Sequence, residues 1–286
     1  MPERDGYPAG VPCWVDTTRA DPGPAAAFYE GLFGWAFEDV APEGSGGSYL
    51  VGRIGGRDVA GLAQARNGAA AGPAAWTTYV WVDDADRTAA TAAEAGGAVL
   101  MEPFDVGPAG RLAVLADPTG APFGVWQAGE HRGAGLVNET GAWVGTDFRT
   151  RDADVAAAFY GAVFGWEVDE VDATAGYANV RMPGYGAHLT ELDPTLPDRL
   201  KEYGAPDDFA DVVGWMAPIG NGEAAETPSH WGITFAVEDV DASAAKVPEL
   251  GGTVLVPPMD APWVRMAVVA DPDGAPLTIA TFVPPS

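Results

Sequence analysis

Three residue types are scarce in this chain. Its 286 residues include one cysteine, three histidines and fifteen Lys plus Arg. The lone Cys13 can form neither an internal disulfide nor a CxxC zinc or redox site, so reducing, cytoplasmic surroundings are expected. Fifteen cations face 41 carboxylates, a formal net charge of −26. Such a surface repels phosphate backbones and anionic membranes, so no nucleic acid and no membrane is expected as a partner. No run of about 18 apolar residues occurs, because Gly, Pro, Asp and Thr interrupt every hydrophobic stretch, and this excludes a spanning helix. What is plentiful is core-forming material. Hydrophobic residues make up 47% and aromatics 10% of the chain, and the length suggests about two domains.

The chain repeats itself. FYEGLFGW at Phe28–Trp35 returns as FYGAVFGW at Phe159–Trp166, an offset of 159 − 28 = 131, and Asp16 and Asp21 return as Asp147 and Asp152. Further on, Tyr79–Gly97 resembles Thr234–Gly252 and DPTGAP at Asp117–Pro122 matches DPDGAP at Asp271–Pro276, at offsets of 155 and 154. Two homologous copies are therefore expected, over 8–128 and 142–284, joined by a linker at 129–141. The second should carry about 155 − 131 = 24 extra residues. The Pro-, Gly- and acid-rich stretch Asp193–Pro228 is the expected place, as a long loop with one short helix.

Within each copy the order of signals is strand, helix, three strands, repeated once. Asp21 suits the N-cap of a helix over Pro22–Leu32 that Gly34 stops, and Asp84–Ala95 is an Ala-rich helix ended by Gly96 and Gly97. Alternating runs such as Trp76–Val82 and Arg111–Ala116 read as strands. The fold class is thus α+β, with two tandem domains of paired βαβββ modules, four modules in total.

These features resemble the vicinal oxygen chelate superfamily, which includes glyoxalases, extradiol dioxygenases and bleomycin-resistance-type binding proteins. The likeness rests on the tandem βαβββ units, the D-x6-FY helix (Asp21–Tyr29, Asp152–Tyr160), the LFGW or VFGW ending and the DP-x-G turn, and it covers nearly the whole chain. It implies a cleft-forming sheet in each copy. In metal-dependent members it also implies four His or Glu ligands to a divalent ion. Their positions fall at Trp14, about Gly61, Thr77 and Gly124 in the first copy, and at Gly145, about His188, Gly232 and Thr278 in the second. A divalent site needs three or four His, Asp, Glu or Cys ligands, and only His188 qualifies, so no metal and no other cofactor is expected.

In the first copy, strand alternation places Trp14, Asp16, Thr77, Tyr79, Trp81 and Trp126 on the face of the lost ligands. Glycine at a former ligand position should make room there. An aromatic wall with few polar groups suits flat or hydrophobic molecules. The alternative is that these rings pack the sheet or the contact between copies. The matching face of the second copy carries Asp147, Arg149, His230 and Thr234, with His188 nearby. His188 and His230 are candidate metal-independent acids or bases, set against a purely structural hydrogen-bonding role. His131, in the linker, is expected to be solvent-exposed and is no site candidate.

Metal-independent binding of a small hydrophobic or aromatic molecule, as in drug-binding members, is the expected function, by a monomer or homodimer. The alternative is a lyase, isomerase or hydroxylase-like enzyme acting on an aromatic or polyketide-like metabolite through His188 or His230.

Overall fold

The computed structural model describes residues 3–42, 44, 46–65, 74–170, 176–220 and 227–283. Four βαβββ units follow one another. The first is β1 (Pro12–Arg19), α1 (Gly23–Phe33), β2 (Ala36–Asp39), β3 (Tyr49–Ile54) and β4 (Arg57–Gln64). The second is β5 (Trp76–Trp81), α2 (Ala85–Glu94), β6 (Ala98–Asp105), β7 (Gly110–Ala116) and β8 (Pro122–Ala128). The third runs β9 (Trp143–Thr150), α3 (Ala153–Phe164), β10 (Glu167–Val168) and β11 (Ala178–Arg181), then two added helices, α4 (Tyr185–Leu192) and α5 (Leu196–Glu202), before β12 (Val212–Pro218). The fourth is β13 (His230–Ala236), α6 (Val240–Lys246), β14 (Thr253–Ala261), β15 (Val264–Ala270) and β16 (Pro276–Phe282).

Units one and two form one eight-stranded sheet, in the order β2-β3-β4-β1-β5-β8-β7-β6, and units three and four form a second in the corresponding order. At the centre of each, the first strands of the two units pair antiparallel, β1 with β5 and β9 with β13, and each is flanked by a parallel partner from its own unit. No helix among the described residues is long and apolar enough to cross a membrane.

Helix ends follow local chemistry. Asp152 and Asp84 cap α3 and α2 by accepting from Val155 N and Arg87 N. Asp21 does not cap α1. Pro22 occupies that position, and Asp21 Oδ1 accepts from Gly23 N instead. Gly34 and Gly165 end α1 and α3 in the left-handed region, at φ 75° and 74°, where glycine bears no Cβ penalty.

Helices α1 and α3 are rich in apolar and aromatic residues because each packs between the two sheets. One core joins unit one to unit four, with Phe28, Tyr29 and Trp35 beside Phe235, Leu277 and Ile279. The other joins unit two to unit three, with Phe123 and Leu115 beside Phe159, Tyr160 and Trp166. Burial therefore ties each copy to the other along most of its length. At the junction of the central strands Thr78 and Thr146 meet hydroxyl to hydroxyl at 3.1 Å.

The extra chain of the second copy starts before Asp193 and ends before Pro228, overlapping the expected stretch in part. Trp215 on β12 pairs with Asp147 as Gly61 on β4 pairs with Asp16, so the offset at that point is already 215 − 61 = 154. The added residues thus fall between β11 and β12, where a two-glycine turn joins β3 to β4 in the first copy. The expected long loop holds α5, a 3-10 turn at Phe209–Asp211 and the strand β12. Residues 43, 45, 66–73, 171–175, 221–226 and 284 of the expected spans lie outside the described residues.

Candidate functional site

The concave face of the first sheet is filled by its own side chains. Trp14 and Asp16 project from β1 opposite Tyr79 and Thr77 of β5. The Asp16 carboxylate accepts from the Tyr49 hydroxyl at 3.1 Å and the Tyr79 hydroxyl at 3.2 Å, and Trp14 Nε1 donates to Tyr49 Oη at 2.8 Å. Burial raises the Asp16 pKa to about 7, against the lowering effect of the two tyrosine hydrogen bonds. Gly61 and Gly124 do leave space, and tyrosines take it. A Cβ on Gly61 would meet Tyr49 Oη, and one on Gly124 would meet the Tyr79 ring. The opening expected at these glycines is therefore closed by cross-strand aromatic packing.

His131 is half-buried on this same face, against the expectation of an exposed linker residue. The linker turns back over the sheet because Ala134 N donates to Cys13 O and Gly135 N to Asp58 O. This seats His131 edge-on to Trp14 at 4.5 Å and to Trp126 at 5.6 Å, with Asp58 Oδ2 3.8 Å from Nδ1. Burial lowers its pKa and Asp58 opposes that shift, so the ring is held toward its neutral form. Trp126 Nε1 donates to His131 O at 2.9 Å. Trp81, at the end of β5, stands apart from this cluster, next to Tyr7 and under the Arg132 guanidinium.

On the second sheet Asp147, Arg149 and His230 do come together. His230 pairs with Arg149 across β13 and β9, and Gly232 pairs with Asp147. Burial raises the Asp147 pKa, and His230 and Arg149 pull it back down. His230 Nδ1 lies 2.8 Å from Pro228 O. His188 is on helix α4 rather than on a strand, and stacks on Tyr185. It does not occupy the second ligand position, which in register belongs to Trp215.

The residues at the superfamily's metal positions do not fit a divalent ion in either copy. In the first they are Trp14, Gly61, Thr77 and Gly124, and in the second Gly145, Trp215, Gly232 and Thr278. Trp215 fills the space over Gly145, and the Asp147 carboxylate that over Gly232. Among the described residues no group of three or more His, Cys, Asp or Glu side chains is placed to hold a metal.

Beside Gly145 and Trp215 lies a cavity of about 260 Å³. The added segment forms one wall with Tyr185, Leu189, Leu196 and Leu200, the second sheet forms another with Trp143 and Val213, and the chain's N-terminal stretch closes the third with Arg4 and Tyr7. Trp143 is fixed by a 2.7 Å bond from Nε1 to Gly145 O. Tyr7 is fixed by a 2.8 Å bond to Ala134 O. Sequence periodicity gave no signal for Arg4, Tyr7 or Tyr185, and Trp215, the counterpart of Gly61, was missed because residue counting put that position at His188.

The family model described as Glyoxalase/Bleomycin resistance protein/Dioxygenase superfamily matches residues 14–125 and 143–279. "Putative glyoxylase CFP32" of Mycobacterium tuberculosis is 40% identical over 277 residues, 96% of each chain. The "Anthracycline biosynthesis protein DauV" of Streptomyces sp. (strain C5) is 34% identical over 281 residues, 94% of this chain and 92% of the relative. In solved structures the fold is shared with the 2,3-dioxygenase LapB from Pseudomonas sp. KL28, with TM-score 0.60 at 10% identity, covering 97% of this chain and 95% of that one. Sequence repeat, sheet order and these likenesses agree: the chain belongs to the glyoxalase/bleomycin resistance protein/dioxygenase superfamily, as a two-domain member.

Proposed function

We propose that the protein binds a small hydrophobic or aromatic organic molecule without a metal at the superfamily positions, and that the binding cleft is the cavity between the second sheet and the segment joining β11 to β12. The observation that carries this reading is the cavity itself. Its walls are two tryptophans, two tyrosines and a row of leucines, with few polar groups, and such a lining suits flat apolar molecules. At about 260 Å³ it falls near the lower end of the ligand-cleft range, roughly 300 Å³ upward, which favours a compact ring system. One relative's name ties it to the biosynthesis of anthracyclines, which are polycyclic aromatics, and this supports an aromatic ligand here. The first-sheet face is the less favoured location, because Trp14, Tyr79 and Trp126 are each below 10% exposed and pack on one another's partners.

Calorimetric titration with neutral 2-naphthalenemethanol in excess EDTA tests this reading. Saturable one-to-one binding is expected, unchanged by the chelator and lost in Leu189→Trp, which fills the cavity. Absence of binding, or binding unaffected by Leu189→Trp, would overturn it.

A second reading, an enzyme of lyase, isomerase or hydroxylase-like type, draws on the grouping of Asp147, Arg149 and His230. A half-buried carboxylate beside an imidazole can exchange a proton near neutral pH. Recovery of a bound compound in chemically altered form, and loss of that change in His230→Ala, would favour it. Recovery of the compound intact would sink it.

A further inference from the structure

The cavity wall contains one charge. Arg4 is 9% exposed and lines the cavity, its backbone N donates to Gly135 O at 3.1 Å, and its Nη1 is buried with no hydrogen-bond partner. The neighbouring Glu3 forms a bridge with Leu136, so the backbone leading into the arginine is tied to the linker.

A guanidinium buried without a carboxylate partner is out of character for this molecule. Arg19, Arg53, Arg111, Arg181 and Arg265 are each paired with two or more carboxylates, as befits a chain with 41 acids and 15 cations. Burying a cation without a counter-charge is costly, and leaving one of its donors unmade adds to that cost. The group facing Arg4 is Tyr185, on the opposite wall, whose phenol is pushed up by burial and pulled back by the guanidinium. Two donors, the Arg4 guanidinium and the Tyr185 hydroxyl, thus converge on a cavity otherwise walled by apolar and aromatic side chains, and no carboxylate is among its lining residues.

We propose that Arg4 is the anion-binding residue of this cavity and that the natural ligand is an organic anion: an aromatic ring system carrying a carboxylate or an equivalent oxyanion. This rests on the cavity being the ligand site. The ring occupies the Trp143, Trp215 and leucine walls, and the oxyanion accepts from Arg4 Nη1, with Tyr185 Oη as second donor. Charge-assisted bonds of this kind are short, strong and directional, and a guanidinium holds a carboxylate better than an ammonium does because its donors match both oxygens. The overall charge of −26 does not decide the matter, since charges beyond a Debye length of roughly 8 Å at physiological salt are screened while Arg4 acts at contact.

The test is a matched pair of probes, 2-naphthoate and 2-naphthalenemethanol, titrated calorimetrically at pH 8 into the wild-type chain, Arg4→Gln and Arg4→Lys. Wild type should bind the carboxylate at least about tenfold more tightly than the alcohol. Arg4→Gln should abolish that preference, and a cooperative thermal transition reports that the variant is folded. Arg4→Lys should recover only part of the preference. Equal affinity for the two probes in wild type, or a preference that survives in Arg4→Gln, would overturn the role of Arg4 while leaving the cavity as the ligand site. Failure of both probes to bind wild type would remove the cavity reading and this inference with it.

Discussion

The Tyr29 hydroxyl donates to Asp271 Oδ2 at 2.9 Å, joining the helix of the first unit to the last turn of the fourth. Its counterpart 131 residues on, Tyr160, donates to Asp117 Oδ2 at 3.0 Å. The two links differ in two respects. Asp271 also holds Arg19 at 2.7 Å, whereas Thr150 stands where a second arginine would be, and Tyr160 Oη additionally accepts from Trp231 Nε1. Tyr160→Phe therefore strips Asp117 Oδ2 and the Trp231 donor of partners, while Tyr29→Phe leaves Asp271 its cation. The expected costs are about 3 kcal/mol for Tyr160→Phe and about 1 kcal/mol for Tyr29→Phe. Urea unfolding measures both, and equal or reversed costs would contradict this difference.

Asp16 gives a pH signature. Its folded pKa is about 7, whereas the unfolded value is near 3.9. Between those pH values the native state holds a proton that the unfolded chain has released, so this group makes stability fall as pH rises from about 4 to about 7, with no further change above. Asp16→Asn removes the effect. Relative to wild type, the variant should gain on the order of a few kcal/mol between pH 4 and pH 8. Parallel stability profiles for the two chains would show that Asp16 is ionised at ordinary cost.

Tyr79 covers Gly124 so closely that a Cβ there would lie 2.1 Å from its ring. Gly124→Ala should cost about 1–3 kcal/mol by displacing the ring, and with it the hydroxyl that reaches Asp16. Tyr79→Ala vacates the same space and should cost about 3–5 kcal/mol. In the double variant the new methyl enters the vacated volume, so the combined cost should fall short of the sum by at least about 1 kcal/mol. Strict additivity in a thermal or urea double-mutant cycle would mean that the two do not share that space.

The repeat, the four βαβββ units and the helix stop at Gly34 were legible because their signals are local: a Gly after an apolar-periodic run, the same motif twice; the cap read at Asp21 failed because Pro22 takes that position. Contacts such as Tyr29 with Asp271 leave no local trace, and the crossing of the two cores is therefore absent from sequence pattern. The site was harder to read for two physical reasons. Glycines at former ligand positions were read as open space, but a strand residue without a Cβ is a slot for the ring of a neighbouring strand, and Tyr49, Tyr79 and Trp215 occupy those slots. His188 was assigned by counting residues, and the count fails because the added helices precede β12, so Trp215 stands in that register. His131 was set aside as linker, although backbone bonds from Ala134 and Gly135 fold the linker onto the first sheet.

The metal positions give a further prediction. Purified protein should contain no stoichiometric divalent ion by elemental analysis, and added Zn²⁺ or Mn²⁺ should not raise its melting temperature, since an ion bound only by the native state would stabilise it by mass action. Near-unit occupancy, or a melting temperature that climbs with metal concentration, would mean that ligands are recruited from outside the superfamily positions.

The most direct measurement is a crystal structure of the protein soaked with 2-naphthoate. The expected electron density lies between Arg4, Tyr185 and Trp215, with the carboxylate on the guanidinium and the first-sheet cluster of Trp14, Tyr49, Tyr79 and His131 unchanged. Density among those first-sheet rings, with the cavity beside Trp215 empty, would contradict the assignment of the binding site.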